Sequence, residues 1–253
     1  MIIKKALHSI VILFLLSLLA IPSMAHNLWI ETSPTGKVGQ TQKVYVYLGE
    51  YAYGVRENVS EHLEMLGGDV AVWLIKPNGD KVALDTEIGE NRFVAEFTPQ
   101  NEGHYQLVLN VTNAPVVDWR EYNLGILKTT FFGTATVQVG SPATANLPSQ
   151  SVASVNKLVI QPTNATDFER NSPLQFQLTY NGKPLAEQEV VIGYKGKWFK
   201  TLYTNGEGQL SLTLPWNGQY VVESVYTEEK AGTFKGDDYE AVRHTATFYI
   251  PAK

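Results

Sequence analysis

Five histidines stand in the chain, and one of them is placed where a metal chelate can form. His26 follows Ser23-Met24-Ala25, which has small residues at the −3 and −1 positions of a leader-cleavage site. Cleavage there makes His26 the first residue, so its α-amino group and imidazole can hold one divalent ion between them. Such nitrogen donors suit Cu(II), Ni(II) or Zn(II). A second imidazole strengthens the site, and His104 and His244 are the candidates to supply it from strands. Neither sits at a His-x-His or His-x-x-x-His spacing, so the fold must bring them together. The alternative is that His26 is a solvated terminus. His62, with Glu61 and Glu64 nearby, reads as a solvated residue of a short helix.

Aromatic residues form a second group of candidates. Trp29, Tyr51 and Tyr53 are the expected ligand-binding side chains, since rings with polar tips stack on sugars or peptides. Trp119, Trp198 and Trp216 also fall in or beside loops, and any of these rings can instead close a core, with Trp29 anchoring the first strand. Asp237-Asp238-Tyr239-Glu240 is an acidic loop that matches no calcium-loop spacing and reads as a solvated turn.

Catalytic signatures are absent from the sequence. It has no cysteine nucleophile, no Gly-x-Ser-x-Gly elbow, no phosphate-cradling glycine loop and no zincin helix. The one enzymatic idea the residues allow is a copper oxygenase built on an amino-terminal His26, which requires a second histidine beside it. A non-enzyme is the expectation.

The elements that must position these side chains are strands. Lys4 and Lys5, the apolar run Ile10 to Ala20, and Ala25 describe a secretory signal peptide over residues 1–25. That run is about a dozen residues, where about 20 are needed to span a bilayer. The expected location is therefore a periplasm, with no membrane insertion after signal cleavage. Removing the leader's two lysines leaves 18 basic and 25 acidic side chains, net −7, which argues against nucleic acid or anionic lipid as a partner. With no cysteine there is neither a disulfide nor a lipid-attachment site, and a chain of this length can bury enough surface without them.

After the leader, short alternating β-runs are separated by turn residues. Lys43 to Leu48 alternates Val44, Val46 and Leu48 against Tyr45 and Tyr47. Val70 to Ile75, Lys81 to Leu84, Arg92 to Phe97, Tyr105 to Val111 and Thr129 to Val139 read as further strands, and Val59 to Leu66 as a short helix. Residues 141–157, rich in Ser, Ala, Pro, Thr and Asn, read as a linker. Beyond it, Asn181-Gly182 fits a tight turn, Val190 and Ile192 share one face, and Leu210, Leu212 and Leu214 share another. The expected fold is all-β: two antiparallel β-sandwiches, Ig-like or transthyretin-like, over residues 26–140 and 158–253.

Gly182-Lys183-Pro184-Leu185, Thr204-Asn205-Gly206-Glu207-Gly208 and Gly218-Gln219-Tyr220 together resemble the transthyretin-like or carboxypeptidase-regulatory sandwiches. Asn91 to Leu109 echoes them with its own Gly-x-Tyr. Across most of the mature chain, Ala25-His26-Asn27-Leu28-Trp29-Ile30-Glu31, Gly49-Glu50-Tyr51 and Gly103-His104-Tyr105-Gln106-Leu107 resemble a bacterial envelope family of unknown function. Members of that family (NikM-like) are associated with nickel or cobalt uptake. The resemblance implies a non-enzymatic periplasmic accessory of an envelope transport system, with a divalent transition metal (Ni, Co, Cu or Zn) as cofactor. The alternative is a structural or interaction module that docks a partner through its sandwich loops.

Overall fold

The computed structural model describes residues 26–68, 70–141, 152–163 and 168–253. The leader expected at residues 1–25 and most of the expected linker lie outside the described residues. The alternation at Lys43 to Leu48 becomes the strand Gln42–Glu50, with Val44, Val46 and Leu48 buried. It pairs antiparallel with Asn27–Thr32 on one side, Leu28 opposite Leu48, and with Phe93–Phe97 on the other, Val44 opposite Ala95. Thr86–Ile88 and Val55–Arg56 complete a five-stranded sheet.

A ten-stranded sheet faces it. Its main path runs Trp198–Tyr203, Glu189–Tyr194, Gly218–Glu228, Ala241–Ala252, Ile126–Val139, Gly103–Val111, Ala71–Ile75 and Lys81–Leu84. Val116–Asp118 and Thr35–Gly36 pair off this path with Ile126–Val139. A third sheet, of four strands, comprises Leu158–Pro162, Pro173–Tyr180, Lys183–Pro184 and Gln209–Thr213. The chain is thus all-β with antiparallel sandwich packing in both halves.

Ile126–Val139 and Ala241–Ala252 join the halves in parallel register, Thr130 opposite His244. Parallel neighbours cannot be joined by a hairpin, so strands so far apart in sequence can pair this way. Period two then sends alternate side chains into different cores. Phe131, Val221 and Tyr249 enter the N-terminal core with Trp29 and Leu48, while Phe132, Val222 and Phe248 enter the C-terminal core with Phe176 and Leu212. The sheet is therefore continuous across the expected boundary. At the end of the expected linker, Val152 packs with Ile75, Val108 and Val159, and Asn156 donates its Nδ2 to Leu109 O.

Local chemistry accounts for the turns. Asn181 and Gly182 both have positive φ, 49° and 73°, in the tight connection between two paired strands. In each half the Gly-x-Tyr tyrosine bonds back to a residue four earlier: Tyr105 Oη to Asn101 O at 2.9 Å, and Tyr220 Oη to Trp216 O at 2.9 Å. Each hydroxyl also accepts from the backbone N–H of that same residue. This is the tyrosine-corner device of β-sandwiches, present twice.

The helix expected over Val59 to Leu66 does not form. Val59–Glu61 is a single 3₁₀ turn, capped by the Asn58 side chain accepting from Ser60 N, and further turns follow to Gly67 and Gly68, both at positive φ. Val59 and Leu66 are nonetheless buried, so their spacing reflects anchoring of a loop. The acidic loop Asp237 to Glu240 is likewise more ordered than expected: Asp237–Tyr239 pairs with Gly232–Phe234.

Candidate functional site

His26 stands just before the first strand, and register decides what meets it. Leu28 lies opposite Leu48, and Glu57 N donates to Leu48 O at 2.8 Å, so the chain returning after Tyr53 lays Glu57 beside the strand's start. His26 Nε2 lies 3.3 Å from Glu57 Oε1, and His62 Nε2 lies 3.4 Å from Glu57 Oε2. The two imidazole centroids are 5.7 Å apart. All three side chains are about one-third exposed, so the cluster is open to solvent. It contains two nitrogen donors and one carboxylate. These are hydrogen-bond spacings: among the described residues no three His, Cys, Asp or Glu side chains are already arranged around a metal position.

The other expected histidines have their own surroundings. His244 is fully buried on Ala241–Ala252. Its Nδ1 lies 2.7 Å from Thr130 Oγ1, and its Nε2 lies 3.2 Å from Tyr180 Oη. Tyr180 donates to Glu228 Oε2 at 2.7 Å, so its oxygen is left to accept from His244 Nε2–H, and Nδ1 accepts from Thr130. Burial pushes the His244 pKa down to about 4, against the opposing pull of Glu228. His104 is buried on Gly103–Val111, on the face shared by Gln106 and Val108, with Gln138 as its cross-strand neighbour. Neither residue is among the neighbours of His26 described above.

The aromatic candidates separate by burial. Trp29 is fully buried and donates Nε1–H to Glu31 Oε1, which also accepts from Arg56 Nη2 at 2.8 Å. The Arg56 guanidinium lies 3.9 Å from the centroid of the Tyr47 ring. Tyr51 packs edge-on to Trp29 and donates to Gln219 O across the halves, with burial raising its pKa well above the usual phenol range. Tyr53 is half-exposed, 5.8 Å from the Phe199 ring.

Tyr51 and Tyr53 line a cavity of about 460 Å³ between the two halves. The carboxylates of Glu50, Glu189 and Glu223, the amide of Asn27 and the guanidinium of Arg243 also line it. Gly49 makes this placement possible: at φ 143°, a Cβ there would collide with the Val55 carbonyl, so only glycine turns the strand end to deliver Glu50 and the Tyr51–Tyr53 turn. On the other side, a Cβ on Gly196 would run into the backbone of Gly54. Period-two patterning could not mark Glu50, Glu223 and Arg243 as lining residues, because it does not say which surfaces the halves turn to each other.

The family model described as "Domain of unknown function (DUF4198)" matches residues 23–228. The chain belongs to that family. The match covers the N-terminal half of the DUF4198 chain and the C-terminal half as far as Glu228, so the whole of the final joining strand lies beyond it. No curated protein matches the chain. Among solved structures, a CARDB domain from Pyrococcus furiosus, solved in complex with di-metal ions, is 20% identical over 46% of this chain and 89% of that one. The TM-score is 0.25.

Proposed function

We propose that this DUF4198 protein is a non-enzymatic binding module of the bacterial envelope, an accessory to uptake of a divalent transition metal. The ion is Ni(II), Co(II), Cu(II) or Zn(II), held by His26, Glu57 and His62. The observation that carries this reading is the convergence of two imidazoles on opposite oxygens of one carboxylate. Imidazole and carboxylate form a borderline donor set suited to these ions, and coordination by these groups excludes protons from the ligating atoms. If the leader is removed before His26, the α-amino group adds a third nitrogen.

Calorimetric titration of the signal-processed protein with Ni(II), Cu(II) and Zn(II) tests the reading, with His62→Ala alongside. One saturable site is expected, weakened by at least about tenfold in the variant, a loss of about 1.4 kcal/mol. No saturable heat with any of the three ions, or unchanged affinity in the variant, contradicts it. The docking-module reading then takes precedence. It draws support from the half-exposed rings of Tyr53 and Phe199 and from the partly exposed Trp216.

A further inference from the structure

The cavity between the halves has features that the histidine cluster does not explain. Glu50 is only 5% exposed, and its Oε2 has no hydrogen-bond partner. Asn27 is 4% exposed, and its Oδ1 is equally unpartnered. Buried polar atoms in native proteins are nearly always satisfied, so two unpartnered acceptors lining one cavity are placed to receive a hydrogen-bond donor. Both are acceptors and one belongs to a carboxylate, so a partner that donates hydrogen bonds and carries positive charge suits them. The lining supports the same sign, with the carboxylates of Glu50 and Glu189 against the single guanidinium of Arg243.

The aromatic rim narrows the chemistry. Tyr53 and Phe199, both half-exposed, stand on the solvent side, where ring faces attract cations and cover an apolar body. The volume falls within the range of small-molecule sites. We propose that the cavity is a second binding site, independent of the histidine cluster, for a small primary alkylammonium ion. Its –NH₃⁺ donates to Glu50 Oε2 and Asn27 Oδ1, and its alkyl body lies against Tyr53 and Phe199. Glu189 is exposed at the edge and draws the cation in.

The test is a titration of the full protein, followed by calorimetry and amide chemical shifts, with butylammonium and 1,4-diaminobutane as probes. Butyltrimethylammonium is the control, having the same charge and body but no N–H. Saturable binding of both amines is expected, with shifts at Asn27, Glu50 and Tyr53. Affinity should fall at least about tenfold for the control and for Glu50→Gln, and several-fold for Tyr53→Ala. If Glu50→Gln fails to fold, the exposed Tyr53→Ala variant and the control ion still decide. No saturable shift with either amine at about 10 mM, or equal binding of the trimethylated ion, overturns the proposal. His62→Ala should leave amine binding unchanged, so failure here and failure of the metal reading are separable.

Discussion

The imidazoles of His26 and His62 sit 5.7 Å apart, centroid to centroid, on opposite oxygens of Glu57. Thirty-six positions separate them in sequence, and no local spacing rule connects them. A backbone hydrogen bond from Glu57 to Leu48 and the pairing of Leu48 with Leu28 make them neighbours.

His244 predicts an acid dependence of stability. Its folded pKa, about 4, lies below the ordinary 6.5 because the ring is buried. Between those values the unfolded chain binds a proton that the folded state does not, so stability falls as pH drops through this window. The full shift corresponds to about 3 kcal/mol. Urea unfolding at about pH 7 and about pH 4.5 should show a smaller loss in His244→Gln than in the parent. Equal losses would remove His244 as the cause.

Glu223 predicts the opposite sign. Burial raises its carboxyl to about 7, with Glu50 and Glu189 adding to the shift and the Asn27 hydrogen bond and Arg243 opposing it. The folded state then holds a proton that the unfolded chain has released, and stability falls as pH rises from about 4.5 through about 7. Glu223→Gln should therefore be more stable than the parent at about pH 8, by about 1–2 kcal/mol, and little changed at about pH 5. A variant less stable at the higher pH would contradict this.

We propose that residues 26–140 and 158–253 form two sandwiches that unfold as one cooperative unit, because the central strands send side chains into both cores. Thermal unfolding of the parent should show a single transition. Gly196→Ala, which sets a Cβ against Gly54 and forces a side chain onto a residue with φ 63°, should lower stability by about 2 kcal/mol without splitting the transition. Two resolved transitions in the parent would contradict the single unit.

Much of the fold was legible because its determinants are local. Leu210, Leu212 and Leu214 lie in the C-terminal core as alternation requires, and Asn181-Gly182 turns where its φ tolerance predicts. The repeated Gly-x-Tyr marked two related corners. The parallel pairing of Thr130 with His244 was not legible, since 113 residues intervene and both strands merely read as apolar. The site was harder still. Tyr51 and Tyr53 drew attention as loop aromatics and do line the cavity, but nothing in their neighbourhood pointed to Glu223 or Arg243. His62 was hidden for a similar reason: its apolar neighbours suggested a helix, and the 3₁₀ turn that forms instead aims it at Glu57.

The metal reading is tested most directly by following all four histidine side chains at once. Imidazole resonances of the signal-processed protein should be recorded while Ni(II) is added below one equivalent. Paramagnetic broadening should strike His26 and His62 together and leave His104 and His244 sharp. Broadening at neither His26 nor His62, or at His104 or His244 in their place, would contradict the account.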